Sequence, residues 1–216
     1  MSGTAGADDA RRRRTRQALV RAGEVLLATR PVDAIPVDEI VRHAGVAKGS
    51  FFNHFGDKAE LARAVGAEVR LRMEQRVGVV NAGRSDPEER LVRGICAFVA
   101  YARARPEEAR AMLRSQDRPV PSDHPLNAGL RADLEAGLRA GVLDAPGLDA
   151  AILLVSGACQ ILMSAVLDGP RDEARDAERV TGTLTLLLAG LGLPRDQAAT
   201  RAREAVAELL AGHPGA

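Results

Sequence analysis

Apolar residues recur along this chain at spacings of three and four, the period of a helix buried on one side. Between Ala10 and Thr29, Ala18, Leu19, Ala22, Val25 and Leu26 predict a first helix that Pro31 ends. Val37–Ala44 predicts a short second helix with Ile40, Val41 and Ala44 on one face. Gly45 follows, where a glycine can take the left-handed conformation that stops a helix. A third helix is predicted over Lys48–Phe55: at about 100° per residue, Phe51, Phe52 and Phe55 share one arc, and Gly49, Ser50, Asn53 and His54 the other. After the cap candidate Asp57, apolar residues at every fourth position from Leu61 to Val77 predict a long helix over Lys58–Val80. Further helices are predicted over about 88–104, 106–116, 126–140, 150–167, 176–191 and 195–210, the last running out into HPGA. Glycine, proline and charge mark the breaks at 81–87, 117–125 and 168–175. Residues 1–9, small and polar, are expected to be disordered. The fold class is all-α.

Composition agrees with that reading. Aromatics make up only 2% of the chain, against strand-rich folds. The 46% hydrophobic content is enough for a substantial core, and 216 residues fit one large domain or two small ones. The net charge of +1 excludes a general polyanion binder, but the charge is uneven. Six arginines and no acid lie between Ala10 and Ala22, among them Arg14 and Arg16. The only two lysines, Lys48 and Lys58, flank the third helix. A basic patch beside a helix with a small, polar outer face suits DNA: phosphates meet the cations, and donors and acceptors reach base edges in the major groove. The competing readings are a helical hairpin within a core and a solvated arginine tail.

AGVAKGSFFNHFGDKAEL, at residues 44–61, resembles the DNA-binding signature of the TetR family of transcriptional regulators, and RRRRTRQALVRAGEVLLA before it resembles that family's first helix. The resemblance covers residues 11–65. It implies an N-terminal three-helix DNA-binding domain with a helix-turn-helix, over residues 10–58. A larger helical domain for effector binding and dimerisation follows, over 59–216. It also implies DNA contacts from Arg14, Arg16, Val37, Lys48, Gly49, Ser50, Phe52, Asn53, His54 and Lys58. Ser50 and Lys58 take positions that contact phosphate; Lys48, Asn53 and His54 take positions that read bases or adjoining phosphates. Two residues depart from the pattern. Pro36 stands where a capping Thr is usual, and Phe52, lacking a hydroxyl, stands where Tyr reaches phosphate.

In the C-terminal part, Phe98, Tyr101, Met112, Leu113 and Met163 are candidates for a pocket that takes a small, largely apolar effector, with ordinary core as the alternative for each. The stretch 150–167 carries no charge, yet acids bound it and Ser156, Gln160 and Ser164 interrupt it, which favours a buried helix over a membrane span. Leu153 and Ile161, with Ile152, Val155, Cys159, Leu162 and Val166, surround it on too many sides for one domain to cover. Ile152, Val155, Cys159, Leu162 and Val166, with Gly182, Leu186 and Gly190 of the following helix, are therefore expected to form a homodimer interface. Cys96 and Cys159 are isolated and expected to be reduced; with no signal peptide pattern, a cytoplasmic location is expected. The four histidines lack the i, i+4 spacing of a helical zinc pair, and no catalytic constellation or cofactor motif is found. The function expected is a repressor released from a palindromic double-stranded DNA operator by a small effector. In that reading the long fourth helix alone joins the DNA-binding part to the body. The alternatives are an activator or architectural protein without an effector, and a helical carrier or enzyme.

Overall fold

The computed structural model describes residues 3–115, 123–169 and 172–210, and every regular element among them is helical. These are α1 (Gly3–Leu27), α2 (Val37–Ala44), α3 (Lys48–Phe52), α4 (Lys58–Val80), α5 (Pro87–Ala104), α6 (Pro106–Ser115), α7 (Ala128–Arg139), α8 (Leu148–Leu167), α9 (Glu173–Gly190) and α10 (Arg195–Leu209). Short 3-10 turns lie at Val32–Ala34 and Pro125–Asn127. α1 begins at Gly3, so the stretch expected to be disordered up to residue 9 supplies its first turns. α9 begins at Glu173 rather than Asp176, because Asp172 caps it by accepting the Arg175 N–H at 3.0 Å. Most of the proline-rich loop expected at 117–125, part of the loop at 168–175 and the terminal HPGA lie outside the described residues.

Two compact units divide the chain. One holds the described residues through Arg70 together with α6 from Glu107; the other holds Leu71–Pro106 and the described residues from Asp123 onward. The division falls inside α4, and α6 belongs to the first unit although both its sequence neighbours belong to the second. The chain therefore crosses between units three times, and α4 is not the sole covalent link that the sequence suggested.

The core of the first unit joins Leu19, Val20, Leu26 and Leu27 of α1 to Ile40 and Val41 of α2, Phe51, Phe55, and Leu61 and Val65 of α4. Val25, expected in the α1 stripe, is 52% exposed; Val20 and Leu27 fill the space instead, since Val25 sits about 100° round from Leu26. α1 and α4 cross closely at Gly23, where a Cβ would come within 3.0 Å of Val65. At the α2 stop, Gly45 has φ 68°, and the N–H groups of Gly45 and Val46 return to Arg42 and Val41. α4 opens on a reciprocal cap: Asp57 accepts the Glu60 N–H at 2.6 Å, and Glu60 accepts the Gly56 N–H at 2.6 Å. Three contacts bind α6 into this unit. Ala111 is fully buried in the core, the Arg114 guanidinium donates to the carbonyls of Leu27 and Ala28 at the end of α1, and Ser115 lies against Gly66 of α4. At Gly66 a Cβ would stand 2.2 Å from the Ser115 hydroxyl, so glycine is what lets the two helices meet.

In the second unit α5 packs on α7, α8 and α10, and α9 packs on α8 and α10. Asp86 caps α5, with Pro87 at its first position. The buried Arg93 donates to the Val80 carbonyl at 3.0 and 2.8 Å, satisfying the end of α4, and pairs with Glu208 at 2.5 Å. α8 is long and apolar enough to cross a membrane, yet Ala151, Ile152, Val155, Cys159, Leu162, Met163 and Leu167 are buried against its own unit. This corrects the expected dimer face: Ile152, Val155, Cys159 and Leu162 point inward and Val166 is half-buried. Leu153 and Ile161, of the same expected ring of apolar residues, do point out of α8, together with Leu154, as Leu186, Gly182 and Gly190 do from α9. Both sides of α8 are apolar, so its sequence period carries no sign of which side its own chain covers. Cys96 and Cys159 are buried and not in a disulfide, and burial pushes the Cys96 thiol up to about 12.

Gly192, in the turn between α9 and α10, has φ 96°, and a Cβ there would meet the Asp144 backbone nitrogen at 2.9 Å. Gly192→Ala is therefore expected to destabilise the protein by about 1–3 kcal/mol. Gly78→Ala, in open space on α4, is expected to stabilise it by about 0.5–1 kcal/mol. Thermal unfolding of the two variants should show melting shifts of opposite sign.

Candidate nucleic-acid interface

A five-residue helix has no stability of its own, so α3 is held by what it buries. Phe51 is fully buried and Phe55 nearly so, their ring centroids 5.8 Å apart. Sealing each ring from water contributes on the order of 2–3 kcal/mol. α3 ends at Phe52 rather than Phe55; the chain then turns, with the N–H groups of His54 and Phe55 both bonded to the Phe51 carbonyl at 2.9 Å. Phe52 departs from the expected buried arc. It is 55% exposed and stands edge-on to Phe51 at 5.2 Å. It lies about 100° from Phe51 whereas Phe55 lies about 40° away, and the core admits only the narrower stripe.

Phe52 therefore shares the outer surface with the polar residues. Lys48, Gly49 and Asn53 are exposed, and Ser50, His54, Val37 and Lys58 are half-buried. Lys48 pairs with Asp38 at 2.8 Å, a contact between exposed side chains that solvent screens. Lys58 donates to the Asp33 carbonyl at 3.0 Å, tying the start of α4 to the 3-10 turn and leaving two ammonium protons for other acceptors. Pro36 precedes α2 with no side-chain cap, as its lack of a hydroxyl requires. Glu39 instead pairs with Arg30 at 2.5 Å, and that bond holds its carboxyl below the ordinary range. Arg14 and Arg16 are exposed on α1, and the Arg16 guanidinium stacks over the Phe55 ring at 5.3 Å from its centre. His54 is held below the usual imidazole range, first by burial and then by the charges of Arg12 and Arg16. Arg12 belongs to the arginine run between Ala10 and Ala22, and its four-residue spacing from Arg16 sets both on one face of α1.

The pocket candidates do not assemble in one unit. Phe98 and Tyr101 on α5 and Met163 on α8 belong to the second unit, Met112 and Leu113 on α6 to the first. A cleft of about 100 Å³ in the second unit lies between α5 and α10, lined by Glu89, Val92, Arg93, Arg201, Glu204, Ala205 and Glu208. It is charged, and none of the pocket candidates lines it. Among the described residues no group of three metal-ligating side chains comes together.

Residues 19–65, from the middle of α1 into α4, match the sequence profile of bacterial regulatory proteins of the tetR family. No curated protein matches the chain. Several solved structures share the fold across nearly their whole length. A protein assigned to the tetR family of transcription regulators from Shewanella sp. PV-4 superposes with a TM-score of 0.72 at 17% identity, over 83% of this chain and 99% of that one. RolR in complex with resorcinol gives 0.65 at 21% identity, over 90% and 95%. A gamma-butyrolactone receptor described as ArpA-like gives 0.57 at 24% identity, over 92% and 99%.

The depressed titration of His54 carries a sign. The folded state resists protonating it, so below the ordinary imidazole value of 6.5 the unfolded chain takes up the proton first. Stability is therefore expected to fall as pH drops from 6.5 through the folded-state value, and to be unaffected by His54 above 6.5. Thermal melts from pH 8 to 5 should show a shallower acid decline in His54→Gln than in the wild type; identical slopes would refute the assignment.

Proposed function

We propose, on the premise that residues 19–65 make this chain a member of the TetR family of bacterial regulatory proteins, that it is a transcriptional repressor. It binds a palindromic operator as a homodimer in the cytoplasm and leaves it when a small, largely apolar molecule binds the second unit. One observation carries this reading: α3 is anchored by Phe51 and Phe55 while Ser50, Asn53 and His54 stand accessible on its other side between Lys48 and Lys58. A rigid helix with hydrogen-bonding residues outward and cations at both ends can read base edges while phosphates fix its register. Asn53 suits adenine and Lys48 suits guanine. The activity proposed is binding, without a catalysed reaction.

The effector is supported by two fold relatives whose ligands are small organic molecules, resorcinol in one and a gamma-butyrolactone in the other. Phe98, Tyr101 and Met163 in the second unit are the residues proposed to meet it. Met112 and Leu113 are withdrawn from that group, since α6 folds with the first unit. α6 then becomes the messenger. It is covalently continuous with the second unit at Pro106, while Arg114, Ala111 and Ser115 fix it to α1 and α4. The ligand must prefer the arrangement that cannot bind DNA, and operator DNA must weaken ligand binding by the same factor.

Dimerisation is proposed through the outward stripe of α8 and α9. Ile161 is 71% exposed and Leu186 65%, and Leu153, Leu154, Gly182 and Gly190 extend the surface. Ile161→Asp is expected to give a monomer by light scattering at micromolar concentration; an unchanged dimer would move the interface elsewhere. Selection from random duplexes with the wild type is expected to return a palindrome. On that duplex Asn53→Ala is expected to cost about 1–3 kcal/mol and relax one base position, whereas Lys58→Ala weakens all sequences alike. Selection that returns no consensus would leave a non-specific DNA-binding protein as the better account.

A further inference from the structure

The two lysines that flank α3 are held in different ways. Lys58 donates to the Asp33 carbonyl, a neutral acceptor, and keeps its full charge. Lys48, the first residue of α3, meets a carboxylate: its ammonium lies 2.8 Å from Asp38 Oδ1, in the first turn of α2. The adjacent acid, Glu39, pairs with Arg30 instead. One lysine is thus a point charge, and the other is half of an ion pair with no net charge. In water an exposed pair of this kind contributes little to stability. Its consequence lies against a duplex. A lone lysine, a compact charge on a flexible stem, follows phosphate whatever the sequence. Beside Asp38 that attraction is offset, because the same phosphate repels the carboxylate. The Lys48 ammonium has three N–H groups, and the pair with Asp38 occupies one. Two remain, the number that O6 and N7 of guanine accept in the major groove. As the duplex displaces water, the lower dielectric strengthens the attraction between Asp38 and Lys48 and holds the ammonium where α3 presents it.

We infer that Asp38 determines sequence specificity by holding Lys48 to base edges and off the phosphates. The inference rests on the proposed DNA-binding function and divides the work of its two lysines. Lys48 discriminates between sequences, and Lys58 supplies affinity for any duplex. Asp38 acts through Lys48, so it is a positioning residue, and its negative charge is what the role requires. An acid beside a groove-reading lysine lowers affinity for the wrong duplex more than for the right one, because only the right one offers a guanine in place of a phosphate.

The test compares the duplex that the full-length protein selects with a scrambled one, reading affinity, its salt dependence and the selected sequence. Asp38→Asn is expected to bind the scrambled duplex about 3–10-fold more tightly at about 0.1 M salt. On that duplex its slope of log affinity against log salt should steepen by about 1 for each protomer, as Lys48 moves to phosphate. Repeated selection with Asp38→Asn should relax one G·C position in each half-site. Asp38→Glu, which keeps the charge, should retain the wild-type slope. In a Lys48→Gln background, Asp38→Asn should leave the ratio of the two affinities unchanged. Tighter binding of both duplexes by one factor, with the selected sequence intact, would overturn the inference, since that is the plain loss of a repelling charge. So would an effect of the same size without Lys48. Should Asp38→Asn fail to fold, Lys48→Gln decides: it should relax the G·C position and leave the slope on scrambled duplex near the wild-type value, whereas Lys58→Ala flattens that slope by about 1. Equal flattening by the two lysine variants overturns the inference. A wild type that binds no duplex, or selects no sequence, overturns the proposed function and this inference together. A selected palindrome that Lys48→Gln leaves unchanged overturns only the inference.

Discussion

The first unit depends on the burial of Phe51 and Phe55. α2 has eight residues and α3 five, both far below the length at which a helix persists alone in water. What orders them is a shared core. The two rings enter a space walled by α1, α2 and α4, and that insertion sets the direction of everything on the opposite side of α3. The glycine stop at Gly45 and the reciprocal cap at Asp57 and Glu60 fix where the helices begin and end. They satisfy backbone groups that would otherwise stay unpaired. The outward surface of α3 is thus a consequence of packing behind it, which is why small and polar residues suffice on the outside.

The second constraint is the return of α6 to the first unit. Its hold combines three kinds of contact: an alanine in the core, a guanidinium on the free carbonyls at the end of α1, and a serine against a glycine that leaves no room for a side chain. None is large, but together they make α6 part of the body that carries α3. α6 is thus continuous in sequence with one unit and packed into the other. Arg114 is central to this, because end-of-helix carbonyls are otherwise left to water.

The second unit has a different logic. Its charged network ties helix ends and faces together through Arg93 with Val80 and Glu208, Arg90 with Asp133, and Arg201 with Asp86. α8, without a charge between Ala150 and Leu167, supplies apolar surface on both sides. One side closes the unit's own core, and the other remains as the outward stripe. An apolar surface of that kind is costly to leave in water, which is the physical ground for the proposed partner of the same sequence.

The sequence by itself determined the helical class, the helix count and most boundaries, because periodicity, glycine stops and proline breaks are local signals. It also marked the polar side of α3 and the basic start of α1, since charge and side-chain chemistry need no neighbour to be read. Tertiary structure alone decided the rest. Phe52 was drawn outward because the neighbouring helices cover only the narrow arc that holds Phe51 and Phe55. Met112 and Leu113 went with the first unit because Arg114, Ala111 and Ser115 found partners on α1 and α4, far away in the chain. Ile152, Val155, Cys159 and Leu162 turned inward because, on a helix apolar all round, only the neighbours choose which face is buried.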